Sequence, residues 1–207
     1  MIRRRRIGIL GGSFDPVHAG HLSVAQQVAG RFKLDEVILV PAGEPPHKAG
    51  RLAADKAARL VMARLAAHGL KGLSVSDLEV RRPGKSYTID TLRQLKAELG
   101  PEHEYFLIIG ADTVGELPDW RQAAELVAEV RFAVVARPGW EPDFDRVAAR
   151  LSPAAADQLR AGLIEIEPCA VSSTDIRKRA AAGEDITGSV RKAVADYIKD
   201  KGLYRQA

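Results

Sequence analysis

At 207 residues, with 46% hydrophobic and 28% charged side chains, the chain has the composition of a soluble globular protein and the length for one sizeable domain. No apolar run approaches the roughly 18 residues of a membrane span, which excludes a helical membrane protein. The formal net charge of +4 is matched by Arg3, Arg4, Arg5 and Arg6 alone, so the body of the chain is close to neutral.

The arginine run has no interleaved aromatic residues and abuts a strand pattern, so it reads as a solvated N-terminal arm rather than a nucleic-acid patch. The pattern begins at Ile7, too early for a leader to fit, and no targeting peptide is expected. Short apolar runs then alternate with amphipathic segments. A strand at 7–10 precedes a helix at 20–31; a strand at 37–40 precedes a helix at 52–68. A strand at 73–75, a helix at 88–99, a strand at 105–109 and a helix at 120–128 follow. The series closes with a strand at 132–136, a helix at 144–161 and a strand at 163–166. Beyond about residue 170 only helices are expected, one capped by Ser173 or Thr174 and running through Ala182, the other at about 190–201. Strands that alternate with helices, some of them continuously apolar, imply an α/β fold: a doubly wound parallel sheet, in a single domain over 1–207 with a helical C-terminal subregion. Ligands of such sheets bind beyond the carboxyl ends of the strands.

Cys169 is the only cysteine, which rules out an internal disulfide and suits a reducing cytoplasm. Between Pro168 and Ala170 it has no evident base, and it reads as a small buried hydrophobe rather than a nucleophile.

Strand one runs into Gly11-Gly12-Ser13-Phe14-Asp15-Pro16-Val17-His18-Ala19-Gly20-His21 just before a helix. Glycines admit a ligand close to the backbone, and the amides of a helix start favour phosphate. The spacing is that of neither common phosphate loop. His18 and His21, three apart, can share one side of a first helical turn and donate to the same phosphates. Two histidines without a third ligand make a poor zinc site.

GGSFDPVHAGHL closely resembles the signature of the nucleotidylyltransferase superfamily, a glycine turn followed by His-x-Gly-His. The resemblance implies a Rossmann-like fold in which His18 and His21 contact ATP phosphates and stabilise the pentavalent transition state. Further segments resemble the nicotinate-nucleotide adenylyltransferase family, and together they span nearly the whole chain. Pro45-Pro46-His47-Lys48 resembles a loop that would bring Lys48 to the phosphates. Ser86-Tyr87-Thr88-Ile89-Asp90-Thr91-Leu92 resembles a helix start whose backbone around Tyr87 and Thr88 would recognise the nicotinate carboxylate; read from the residues alone, it is a helix capped by Ser86 or Thr88. Gly110-Ala111-Asp112 resembles a motif whose acid contacts ribose, and Trp120 matches a tryptophan that stacks on the pyridine ring. Val171-Ser172-Ser173-Thr174-Asp175-Ile176-Arg177 resembles the second superfamily signature, with Arg177 on phosphate.

The resemblance thus implies catalytic roles for His18, His21, Lys48 and Arg177. ATP would bind at Gly11, Gly12, Ser13, Phe14, His18, His21, Asp112, Ser173, Thr174 and Arg177, and nicotinate mononucleotide at Ser13, Lys48, Tyr87, Thr88 and Trp120. Mg²⁺ is expected with ATP, held by phosphates and water and not by protein side chains. No nucleic acid or membrane partner is expected, and homo-oligomerisation is left open. Ser13 stands where many relatives have Thr, and Asp175 where many have Glu. The histidines do not select the acceptor, so nicotinamide mononucleotide and phosphopantetheine remain alternatives. A non-catalytic nucleic-acid binder using the arginine arm is the rival from another class.

Overall fold

The computed structural model describes residues 3–45, 52–136 and 139–205. Six strands, β1 Arg6–Gly12, β2 Glu36–Pro41, β3 Leu73–Val75, β4 Glu104–Gly110, β5 Arg131–Val135 and β6 Leu163–Ile164, form one sheet in the order β3-β2-β1-β4-β5-β6. Ile7 lies opposite Tyr105, Ile108 opposite Ala133 and Val135 opposite Ile164, all in parallel pairs. The winding reverses between β1 and β4, the doubly wound order that the alternation of elements predicts. Tyr105 to Ile109 are all buried, as a central strand covered on both faces requires.

The helices are α1 Ala19–Phe32, α2 Lys56–Ala67, α3 Leu78–Arg81, α4 Thr88–Leu99, α5 Ala123–Glu129, α6 Phe144–Arg150, α7 Pro153–Ala161, α8 Ser173–Ala181 and α9 Lys192–Asp200, with a 3-10 helix at Ala111–Asp119. Several differ from the sequence expectation for identifiable reasons. The helix expected from 52 starts at Lys56, because the amides of Ala53 and Ala54 donate to the Asp15 carboxylate and Asp55 caps Ala58 at 2.7 Å. The helix expected over 144–161 is two, since Pro153 disfavours helical geometry in the residue before it and Ser152 caps the second. Trp120 ends the 3-10 helix instead of opening a helix, and the left-handed Gln122 separates it from α5. β6 stops at Ile164, and beyond it the Glu167 main chain bonds the Gln27 side chain instead of a ladder. Arg191 caps α9, so that helix is shorter than 190–201, and α3 is too short to show a period.

Contacts group the chain into two compact units, one of Met1–Leu10, Gln26–Ile38 and Tyr87–Pro168, the other of Gly11–Ala25, Leu39–Ser86 and Cys169–Ala207. In the first, Phe106 of β4 stacks obliquely on Phe32, and Leu126, Phe132, Val147 and Leu159 are buried around the strands. In the second, α2 packs on α9, burying Met62, Ala63, Val194 and Ile198.

The arginine arm is not simply solvated: Arg3 pairs with Asp35 at 2.6 Å, Arg5 with Glu36, and Arg6 and Arg4 with Glu104 at 3.1 and 3.8 Å. Exposed pairs of this kind contribute about 0–1 kcal/mol each. Cys169 is exposed rather than buried, within a run, 167–170, that is exposed throughout. Among the described residues no helix is long and apolar enough to cross a membrane.

Candidate functional site

Most of the residues that the first and last motifs single out belong to the second unit. β1 ends at Gly12, and the chain turns through Phe14, which is buried and holds a φ of 49°. A bulky residue at positive φ is a strained outlier, costing about 1–3 kcal/mol, and it persists only where the surroundings over-determine it. Arg59 supplies part of that determination. The residue is 1% exposed, and its guanidinium donates from Nη1 to the Ser13 carbonyl at 2.6 Å and from Nη2 to the Gly43 carbonyl at 3.2 Å. Gly43 itself is needed because a Cβ there would lie 2.1 Å from the Glu79 carbonyl oxygen.

His18 and His21 come together as their spacing implies: the rings stack with centroids 3.8 Å apart. The backbone N–H of His18 donates to His21 Nδ1 at 3.2 Å. With Nδ1 as acceptor, a neutral His21 carries its proton on Nε2, which makes that nitrogen the donor. The His21 ring also meets the edge of Phe14 at 4.9 Å, so the strained residue braces the histidine. Gly20 is fixed by the same packing, since a Cβ would stand 3.0 Å from His18 Nδ1.

Burial pushes the His18 pKa down from 6.5 to about 4, and its Nδ1 is buried with no hydrogen-bond partner among the described residues. His18 is therefore neutral at pH 7. A group whose folded-state pKa is depressed contributes stability that is complete above pH 6.5 and is lost as pH falls toward 4. His18→Asn should lack this component. Thermal melts of both proteins across that window are expected to show a shallower acid fall for the variant, and superimposable slopes would contradict it.

The second signature bonds to the same loop within the same unit. Ser172, and neither Ser173 nor Thr174, is the N-cap of α8, accepting from the Asp175 N–H at 3.1 Å. Ser173 is thereby free of capping and donates its hydroxyl to the Pro16 carbonyl at 3.0 Å. Arg177 donates from Nη1 to the Asp15 carbonyl at 2.8 Å and from Nη2 to Thr174 Oγ1 at 3.3 Å. The structure thus gathers Ser13, Phe14, His18, His21, Ser173, Thr174 and Arg177 around one loop.

Asp15, Arg59 and Tyr204 received no role from the sequence. Asp15 sits inside the quoted motif, and a carboxylate between aromatic and proline residues was its only signal. Arg59 and Tyr204 are separated from it by many residues, and nothing local marks them.

In the other unit, Tyr87 caps α4 by its backbone with no side-chain bond; neither Ser86 nor Thr88 does. Within the second unit, the Ser86 hydroxyl instead accepts from the amides of Gly43 and Glu44 at 3.1 and 3.2 Å. Thr88 opens α4, and Arg121 lies over the Tyr87 ring at 4.7 Å and reaches Asp90 at 4.0 Å. Trp120 is half-buried at the end of the 3-10 helix, and Asp112 occupies that helix's first turn directly after β4. Lys48 lies outside the described residues.

Residues 9–179 match the cytidylyltransferase-like family model. A protein of Roseiflexus sp. (strain RS-1) named "Probable nicotinate-nucleotide adenylyltransferase" is 45% identical over 199 residues, 96% of this chain and 98% of its own. One of the same name from Synechococcus sp. (strain JA-3-3Ab) is 43% identical over 202 residues, 98% and 96% of the two chains. Among solved structures, Plasmodium falciparum nicotinic acid mononucleotide adenylyltransferase complexed with NaAD superposes with a TM-score of 0.73 over 97% of this chain and 98% of that one. At 23% identity, that likeness speaks to the fold.

Proposed function

The chain belongs to the cytidylyltransferase-like family and within it to the nicotinate-nucleotide adenylyltransferases, and from this we infer that it transfers the adenylyl group of ATP to the 5′-phosphate of nicotinate mononucleotide. The products are nicotinate adenine dinucleotide and pyrophosphate, a step of NAD biosynthesis. The observation that supports the site most directly is the stacked His18–His21 pair on the loop to which Arg177 is hydrogen-bonded.

An oxygen of the mononucleotide phosphate forms the new bond to the α-phosphorus of ATP, and the bond to the bridging oxygen of the β-phosphate breaks, its electron pair leaving with pyrophosphate. The attacking phosphate is already ionised at neutral pH, so no protein nucleophile or base is needed. Catalysis rests on alignment and on donors aimed at charge that builds during transfer. His21, with its proton on Nε2, is such a donor; neutral His18 offers a second, and phosphates drawn close would raise its pKa. Arg177 presents a planar fork to phosphate oxygens, and Lys48 is the residue we assign to add a point charge there.

Mg²⁺ on the triphosphate would neutralise part of its charge. The Asp15 carboxylate, in the loop that leads to the histidines, is engaged by two amides and a hydroxyl, which suits a metal held by phosphates and water. Tyr87, Thr88 and Trp120 are the residues we assign to the mononucleotide, and Asp112 to a ribose. The Arg121 cation over the Tyr87 ring favours an anionic ring substituent, hence nicotinate over nicotinamide. The exposed thiol of Cys169 suits a reducing cytoplasm.

Pyrophosphate release from ATP, measured with nicotinate mononucleotide, nicotinamide mononucleotide and phosphopantetheine in turn, is expected to be fastest with the first. Preferential use of phosphopantetheine would overturn the acceptor. The arginine arm gives the nucleic-acid reading little support, since its four arginines are already paired with acids.

A further inference from the structure

Behind the glycine turn lies a buried polar cluster that neither the sheet nor the chemistry above uses. Asp15 is 4% exposed, and a buried carboxylate is costly unless its lone pairs are matched. Here Oδ1 accepts from the Tyr204 hydroxyl at 2.8 Å and the Ala54 N–H at 3.1 Å, and Oδ2 accepts from the Ala53 N–H at 2.8 Å. The main-chain oxygen of the same residue takes the Arg177 Nη1 bond at 2.8 Å. One residue therefore ties together the arginine of the second signature, the Ala53 and Ala54 amides that lead into α2, and Tyr204.

Tyr204 holds a φ of 68°, and Phe14, next to Asp15, a φ of 49°. Tyr204 is one end of the hydrogen-bonded link and Phe14 adjoins the other, and left-handed aromatic residues persist only where their surroundings over-determine them, a pattern that clusters where geometry serves function. The Tyr204 hydroxyl also meets Met62 Sδ at 3.9 Å, which closes the cluster on the α2 side.

We propose that Tyr204, acting through Asp15, is a positioning residue for adenylyl transfer: it fixes the carbonyl that orients Arg177 and the Ala53 and Ala54 amides that lead into α2. The proposal rests on the reading of Arg177 as a phosphate ligand. Neither Tyr204 nor Asp15 touches substrate in this scheme; they hold the groups that do. Displacing a catalytic group by about 1 Å can cost up to about 100-fold in rate, so loss of one link in a braced loop should cost about tenfold.

The test is steady-state kinetics on the full chain with ATP and nicotinate mononucleotide, together with thermal melts. Tyr204→Phe removes only the hydroxyl and is expected to lower kcat about tenfold while KM for the mononucleotide stays within about twofold. Asp15→Asn, which keeps the shape, should show a similar loss. The double variant should lose no more than the worse single one, because the two residues act through each other. Arg191→Ala is the stability control: in the same unit it removes bonds to the Ala66 and His68 carbonyls at 3.0 and 2.6 Å, far from Asp15 in its hydrogen bonding, and should keep kcat. A Tyr204→Phe kcat within about twofold of wild type would overturn the proposal, as would additive losses in the double variant or an equal kcat loss in Arg191→Ala. If Arg177→Ala loses activity and Tyr204→Phe does not, only the positioning role falls. If Arg177→Ala is unimpaired, the phosphate reading falls and takes this proposal with it.

Discussion

His21→Ala is expected to lower kcat for adenylyl transfer by about 100-fold or more while leaving the fold intact, the cost of losing one donor aimed at transition-state charge. The geometry explains why the effect should fall on kcat. His21 Nδ1 is occupied by the His18 amide, so its proton sits on Nε2, and the ring is braced by His18 on one side and Phe14 on the other. Such a donor is preorganised and costs no reorientation during the reaction. Deleting the ring strands one half-buried N–H, a loss of about 1 kcal/mol, which is small against the stability of a domain this size. His21→Gln keeps an amide donor of shorter reach and should fall between the two. Turnover of His21→Ala near the wild-type value, measured by pyrophosphate release, would remove the basis for assigning the histidine pair to catalysis.

Arg177→Ala should lower kcat/KM for ATP by roughly 100-fold, because a charge-assisted fork to phosphate is lost in a site built for charge stabilisation. Arg177 also donates to the Asp15 carbonyl and to Thr174, so the alanine variant is expected to lose some stability as well. Arg177→Lys separates the two effects. It restores a positive charge without the planar fork, and therefore should recover only part of the ATP dependence. If Arg177→Ala changed the thermal midpoint and left ATP kinetics alone, the arginine would be a brace for the loop and nothing more.

The fold was readable wherever the local pattern was long and uninterrupted. The apolar run from Tyr105 to Ile109 announced a strand buried on both faces, and the alternation of strands and helices announced the parallel sheet. Two of the misjudged boundaries share one cause: a partner distant in sequence overrode the local preference. The amides of residues 53 and 54 turn to Asp15 rather than extend α2, and the main chain of Glu167 turns to Gln27 rather than extend β6. Cys169 was misjudged because hydrophobicity alone does not say whether a layer covers a given segment.

The site divides in the same way. Sequence by itself determined which chemical groups are present and their local spacing: two histidines three apart at a helix start, a glycine turn, and an arginine in the first turns of α8. These rest on contacts within a few residues, which helical and turn geometry dictate. Tertiary structure alone decided the state and bracing of those groups. Burial keeps His18 neutral, a bond across 162 positions ties Arg177 to Asp15, and one across 189 ties Tyr204 to the same residue. Proton affinity and long-range hydrogen bonding depend on what the folded chain brings near a residue, and no local pattern encodes that.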